Sequence, residues 1–99
     1  MEDAGAPFEV RCSAAVAQSL RRLQEQASKE GRGGKVLRAM RAIVTKLEND
    51  PRSFGEPEFR LPAMRIQVRS GAVHPLVVHF GVCDDRPLVF IKKVILLDS

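Results

Sequence analysis

The sequence contains no tryptophan and no tyrosine, and its only aromatic side chains are five phenylalanines. A surface that stacks successive bases of single-stranded nucleic acid needs several exposed aromatic rings. Most of these phenylalanines lie in stretches that predict core or loop positions, so a stacking platform is poorly supported. Any nucleic-acid binding by this chain would therefore depend mainly on charge, and would weaken steeply with salt.

Cysteine is also scarce, since Cys12 and Cys83 are the only two and neither belongs to a CxxC pair. Two isolated cysteines cannot supply the ligands of a structural zinc site. Cys12 alternates with the apolar Phe8 and Val10 and is expected to be buried, whereas Cys83 precedes an acidic turn and is expected to be reachable. We expect both thiols to be reduced, and we expect neither a metal nor a cofactor.

The sequence lacks long apolar runs, and none approaches the roughly 18 consecutive residues that a membrane-spanning helix needs. Residues 1–7 are acidic and lack the basic start and apolar stretch of a signal peptide. We therefore expect a cytoplasmic protein with no membrane partner. The 99 residues, 44% of them hydrophobic, suit one compact core. The expected organisation is a flexible lead at residues 1–7 and a single domain at residues 8–99.

Positive charge is in moderate excess, with 16 Lys and Arg against 12 Asp and Glu, a formal net charge of +4. Residues 13–99 carry the whole of this excess, so it belongs to the predicted domain and to no tail. An excess of this size favours a polyanionic partner or an acidic protein.

Two amphipathic segments predict a pair of helices. Ser13 is a favourable N-cap, and apolar side chains then recur at helical spacing to about Glu30. The glycine-rich residues 31–34 predict a turn, because glycine is unfavourable inside a helix. The helical spacing resumes at Lys35 and ends before Pro51. The two helices are therefore expected to form an antiparallel hairpin.

Alternation of apolar and polar side chains predicts four strands. They cover residues 8–12, 64–69, 76–82 and 88–97. Residues 52–62 contain two prolines and a glycine and predict a surface loop, and Ser70-Gly71 predicts a turn. Short links between the last three strands imply an antiparallel meander. The predicted fold is α+β, in the order β-α-α-β-β-β, with an antiparallel sheet and the helix hairpin packed on one face.

One core is expected between this hairpin and the sheet. The helices would contribute their apolar stripes, at Val16, Leu20, Leu23, Met40, Ile43 and Leu47. The sheet would contribute one apolar face, at Ile66, Val68, Val78 and Phe80.

Several segments carry a resemblance to a known family. Residues 47–55 read LENDPRSFG, residues 64–71 read MRIQVRSG, and residues 76–82 and 88–91 read LVVHFGV and LVFI. Together with the order of the elements, these segments resemble the RelE/ParE toxin superfamily, small proteins encoded beside an antitoxin. The resemblance extends from Phe8 over nearly the whole chain as a pattern of helices, strands and turns.

The resemblance implies a bacterial toxin of a type II toxin-antitoxin or plasmid-stabilisation module. Its partners would be an antitoxin protein and, as target, RNA, the ribosome or DNA gyrase. The family's ribosome-dependent RNases use basic residues of the sheet and an aromatic near the C-terminus. This sequence has Val73-His74-Pro75 where an arginine is usual, and Leu96-Leu97 near the position of a common lysine-arginine pair. We therefore expect a degraded RNase site and an action that depends mainly on binding.

The predicted binding surface is basic. Arg65, Gln67 and Arg69 project from one face of a predicted strand, with about 13 Å between the two arginines. We expect them to bind nucleic acid or a partner protein, although an ordinary solvated strand face would show the same pattern. Lys92 and Lys93 are adjacent in a strand and are expected to face opposite sides, so that one of them joins the arginines.

His79 is the catalytic candidate, because histidine titrates near neutral pH and no other residue of the predicted sheet is a plausible acid or base. Three functions remain open. The first is a toxin component that acts by binding. The second is an active ribosome-dependent mRNA endoribonuclease that needs no metal, and the third is a non-toxic basic nucleic-acid-binding or interaction module. Cleavage of ribosome-bound message would distinguish the second function from the others.

Overall fold

The computed structural model describes residues 7–98, which form two helices and one five-stranded mixed sheet. The helices are α1 (Ala14–Lys29) and α2 (Gly33–Asn49). The strands are β1 (Glu9–Cys12), β2 (Glu56–Leu61), β3 (Ile66–Val73), β4 (Leu76–Cys83) and β5 (Leu88–Leu96). Of the predicted lead at residues 1–7, only Pro7 lies within the described residues. Neither helix of this part of the chain is long and apolar enough to cross a membrane.

Both predicted helices are present, and the first begins as its sequence indicates. The Ser13 hydroxyl accepts a hydrogen bond from the amide of Val16 at 3.1 Å, which satisfies an otherwise unpaired donor of the first turn. The second helix begins at Gly33, two residues before the predicted start. A side chain at Gly33 would come within 2.7 Å of the Ser28 hydroxyl, so a glycine here permits close approach of the two helices.

The sheet has the order β1-β5-β4-β3-β2, with β1 parallel to β5 and the other neighbours antiparallel. The predictions of a purely antiparallel sheet and of a loop at residues 52–62 are therefore wrong. The missed strand, β2, contains Pro57 and is followed by Pro62. Proline cannot donate to a strand ladder and is confined to edge strands, and β2 lies at the edge of this sheet.

The strand predicted at residues 64–69 starts later and ends later than expected. Met64 closes a short 3₁₀ turn, and Arg65 has a left-handed φ of 53°, so β3 begins at Ile66. The strand then continues through Ser70-Gly71, where a turn was predicted, to Val73.

Gly71 lies inside β3 because the Phe54 ring packs against its backbone. A Cβ at Gly71 would lie 2.6 Å from that ring. The Phe54 ring in turn stacks on Phe80, with 5.7 Å between the ring centroids. The glycine therefore makes room for an aromatic contact and does not mark the end of the strand.

The core lies between the helices and one face of the sheet, which we name the helix-side face. Its buried residues are Ala27, Val36, Ala39, Ile43, Leu47, Leu76, Val78, Phe80, Val82, Val89 and Ile91. The prediction is confirmed for Val78 and Phe80 and wrong for Ile66 and Val68. In the β3–β4 register Val68 lies opposite Gly81, whereas Arg69 lies opposite Phe80. Since opposite residues of an antiparallel pair share a face, Ile66 and Val68 lie on the other side, the open face.

Both expectations for the cysteines are wrong. Cys12 is exposed, because it lies at the end of the short edge strand β1. Cys83 is only 5% exposed, since it ends the second central strand, opposite Ile66.

Candidate functional site

The predicted site residues divide between the two faces of the sheet. Gln67 lies opposite Val82 and Arg69 opposite Phe80, and both of those partners belong to the core, so Gln67 and Arg69 lie on the helix-side face. Three more of the six, His79, Lys92 and Lys93, line one cavity on the open face. The structure therefore does not bring the six predicted residues together.

Arg65 is placed apart from the other predicted residues. It precedes β3, its side chain is 70% exposed, and its guanidinium lies 3.6 Å from the Asp85 carboxylate. The prediction that Arg65 and Arg69 project side by side from one strand face is therefore wrong. Of the three residues predicted on this strand, Arg65, Gln67 and Arg69, only Gln67 and Arg69 line a common cavity.

This cavity on the helix-side face, which we name the arginine cavity, lies at the end of the sheet near Cys83. Its volume is about 150 Å³. It is lined by Arg52, Arg60, Gln67, Arg69, Val82 and Asp84. Among the described residues, three arginines and a single carboxylate therefore line the cavity, which gives it an excess of positive charge.

Arg69 is held in place by the loop that precedes β2. Its Nε and Nη2 atoms donate to the carbonyls of Phe54 and Gly55, each at 3.1 Å. Gly55 has a φ of 71°, and a Cβ there would collide with the backbone of Ser70. Glycine therefore allows the loop to turn close to β3 and to present both carbonyls to Arg69.

The other two arginines are also oriented by specific contacts. Arg52 donates to the Cys83 carbonyl at 2.9 Å, and its guanidinium lies over the Phe8 ring at 4.9 Å from the centroid. Arg60 pairs with Asp84 and donates to the Gln67 amide oxygen at 3.3 Å. A guanidinium has five N–H donors, so Arg52 and Arg69 retain donors for a ligand. The arrangement can hold a phosphate or a carboxylate, and it can stabilise negative charge.

Arg52 and Arg60 were missed because residues 52–62 were interpreted as a loop. The sequence contained a signal, since Phe59 and Leu61 alternate with Glu58 and Arg60 as in a strand with one apolar face. In the observed register Arg60 lies opposite Gln67, on the helix-side face.

On the open face, a β-bulge places two neighbouring lysines on the same side. Lys93 lies opposite His79 and Ile91 opposite Phe80, so Lys92 is an extra residue in the β4–β5 ladder. The Nζ atom of Lys92 lies 5.7 Å from the centroid of the Phe59 ring. The prediction that the two lysines face opposite sides is therefore wrong.

Around the lysines the open face forms a groove of two adjoining cavities, which we name the open-face groove. The first has a volume of about 250 Å³ and is lined by Leu61, Met64, Ile66, Val68, Gly81, Phe90 and Lys92. The second has a volume of about 360 Å³ and is lined by Glu58, Phe59, Val68, His79, Lys92 and Lys93. His79 Nδ1 lies 3.4 Å from Glu58 Oε1, so the catalytic candidate has a carboxylate neighbour.

Within residues 7–98, no three His, Cys, Asp or Glu side chains are grouped so that they could hold a metal ion. Comparison with protein-family models, with curated proteins and with solved structures yields no match. The function of this chain must therefore be inferred from its own residues.

Proposed function

We propose that this chain is a RelE/ParE-like toxin component of a type II toxin-antitoxin module, and that it acts by binding. The arginine cavity would hold a phosphate group of the target nucleic acid, free or within the ribosome. An acidic segment of the antitoxin would cover the same surface. The observation that carries the proposal is the convergence of Arg52, Arg60 and Arg69 on one cavity, in which Asp84 supplies the single carboxylate found among residues 7–98.

The chemistry of the cavity favours a phosphate over a neutral ligand. Guanidinium groups match the oxygen geometry of phosphate with paired N–H donors. Arg52 and Arg69 are already oriented by backbone carbonyls, so less side-chain freedom is lost when a ligand binds. Binding of this kind releases counterions and depends steeply on salt concentration.

The positions of the histidines support binding over cleavage. RNA cleavage needs proton transfer in addition to stabilisation of charge. The chain has two histidines, and neither lines the arginine cavity. His74 follows β3, and His79 lies on the open face beside Glu58. In the endoribonuclease alternative, His79 would act with Lys92 and Lys93, which line the same cavity, and without the arginines of the opposite face.

A binding titration tests the role of the cavity. The fluorescence anisotropy of a short labelled RNA, and of a DNA duplex, would be measured at two salt concentrations. Arg60→Gln should weaken binding and lower the slope of log K against log salt by about 1, because one phosphate contact is lost. Asp84→Asn should strengthen binding, because it removes the carboxylate that competes with the ligand. Arg38→Gln, at an exposed position of α2, is the matched control. It should change the affinity and the salt slope only by the small amount expected from the lower net charge of the protein.

Two further observations test the class of function. Expression of the chain in bacterial cells should arrest growth, and co-expression of an antitoxin encoded in the neighbouring reading frame should restore it. Purified ribosomes with bound message should remain uncut. Robust cleavage that is lost in His79→Ala would establish the endoribonuclease alternative, and equal binding by Arg60→Gln, Asp84→Asn and the wild type would exclude the arginine cavity as the binding surface.

A further inference from the structure

We propose that the open face pairs with the same face of a second copy of this chain in a two-fold symmetric dimer. This surface lies on the opposite side of the sheet from the arginine cavity, and the proposal is independent of that site. It rests on the order of charges and apolar groups across β2, β3, β4 and β5.

Cross-strand register aligns a charged row across the open face. From β2 to β5 this row reads Glu56, Ser70, His79 and Lys93. Glu58 lies next to the acidic end and Lys92 next to the basic end, and both line the open-face groove. The row therefore has a negative end on β2 and a positive end on β5, about 14 Å apart at the usual spacing of strands.

A second row, next to the first, is apolar. From β2 to β5 it reads Phe59, Val68, Gly81 and Phe90. The Phe59 side chain is 50% exposed, and no helix covers it. The row has an aromatic ring at each end, and between them a glycine and Val68, which is only 2% exposed.

A two-fold axis parallel to the strands reverses the order of the strands and preserves the level of each row. Glu56 of one copy then lies over the partner's Lys93, and Phe59 lies over the partner's Phe90. Val68 lies at the level of the partner's Gly81, so that the centre of the row presents no long side chain to the partner. Stacked sheets cross at about 30°, which shifts the ends of a row by about 3.5 Å. Lysine and glutamate side chains are long enough to span that shift.

A second copy fits this face better than other occupants do. A uniformly acidic segment would meet Glu56 and Glu58, and a uniformly basic one would meet Lys92 and Lys93. A two-fold interface requires self-complementarity, which the reversed charges supply.

The dimer should be weak. Four strands and about six residues of each span roughly 14 Å by 20 Å. This face is small beside the roughly 800 Å² that each partner buries in a stable complex. Association is therefore expected at micromolar concentration and above.

Sedimentation velocity over a concentration series, under reducing conditions because Cys12 is exposed, provides the test. The wild type should shift from monomer to dimer as its concentration rises. Lys93→Glu and Glu56→Lys should each weaken self-association about tenfold or more. Each substitution places like charges together at positions 56 and 93, and the two-fold symmetry makes this contact occur twice in the dimer. An equimolar mixture of the two variants should associate again, because each places opposite charges against the other.

Matched controls carry the same charge changes at exposed helix positions. Lys35→Glu and Glu25→Lys should leave self-association close to that of the wild type. Phe59→Ser should abolish the dimer without a charge change. If circular dichroism shows that either charge variant is unfolded, Phe59→Ser serves as the test in its place. A wild type that remains monomeric at sub-millimolar concentration would overturn the proposal. So would a mixture of the two charge variants that associates no better than either variant alone.

Discussion

The two faces of the sheet are formed by the same strands but are covered in different ways. On the helix-side face, α1 and α2 pack over Val78 and Phe80, which are fully buried. On the open face Val68 is only 2% exposed, yet the Phe59 and Lys92 side chains share its cavity and no helix lies over it. Equal burial therefore arises from a rigid element on one face and from adjustable side chains on the other. The two faces should respond differently to the same substitution.

The largest difference is expected for a pair of valines. Val78→Ala removes buried methyl groups beneath the helices, where the surroundings cannot collapse, and should lower the free energy of unfolding by about 2 to 3 kcal/mol. Val68→Ala, on the open face, should cost about 1 kcal/mol, because Phe59 and Lys92 can move into the vacated space. Urea denaturation at low protein concentration measures both values. Equal losses would show that the open face is packed as firmly as the core.

A pair of glycines in β3 and β4 should show a smaller difference of the same sign. In Gly71→Ala the new Cβ would lie 2.6 Å from the Phe54 ring, which is stacked on Phe80 and cannot easily move. In Gly81→Ala it would lie 2.8 Å from the Ile66 Cγ2 atom, on the face that no helix covers. We expect losses of about 2 kcal/mol for Gly71→Ala and about 1 kcal/mol for Gly81→Ala. Thermal unfolding of both variants would show which substitution destabilises the protein more. A larger loss of stability for Gly81→Ala would contradict the prediction.

The smallest effect concerns the two lysines of β5. Lys92→Ala removes the cation near the Phe59 ring and part of the cover over Val68, and should cost about 0.5 to 1 kcal/mol. Lys93→Ala is the control on the same strand and face, and should cost less because no ring lies under its ammonium. Denaturation of the two variants, at a concentration where the protein is monomeric, would test this prediction. Equal losses of stability would show that the contact between Lys92 and the Phe59 ring does not cause the effect.

The sequence predicted both helices and four of the five strands because the apolar spacing of these segments is regular. It did not predict β2, since prolines interrupt the alternation that Phe59 and Leu61 continue. Prolines of this kind are typical of an edge strand, but only the structure shows which strands lie at the edge.

The faces of β3 were assigned the wrong way round for a different reason. The alternation of residues 66–69 was regular, and apolar side chains were assigned to the core. In the structure Gln67 and Arg69 lie on the helix-side face, and Arg69 satisfies the carbonyls of a loop there. Sequence periodicity shows that a strand has two faces, but it does not show which of them the helices cover.

Sequence periodicity also predicted only part of the candidate site. The prediction identified Gln67 and Arg69 as binding residues, and these two do line a common cavity with Arg60 and Arg52. The partners could not be found from spacing, because they come from the missed strand and from the loop after α2. Whether the cavity binds a target remains a prediction for the titration to test.

The bulge at Lys92 has a consequence for changes in chain length. The core side chains Val89 and Ile91 precede it at odd positions, whereas Val94 and Leu96, which pack against the core, follow it at even positions. Deletion of either lysine would leave a regular strand with the same residues facing the helices. A one-residue deletion elsewhere in the middle of β5 would reverse the faces of the residues between that point and the bulge. Loss of one lysine should therefore be tolerated at this point of the strand, where the ladder already contains one extra residue.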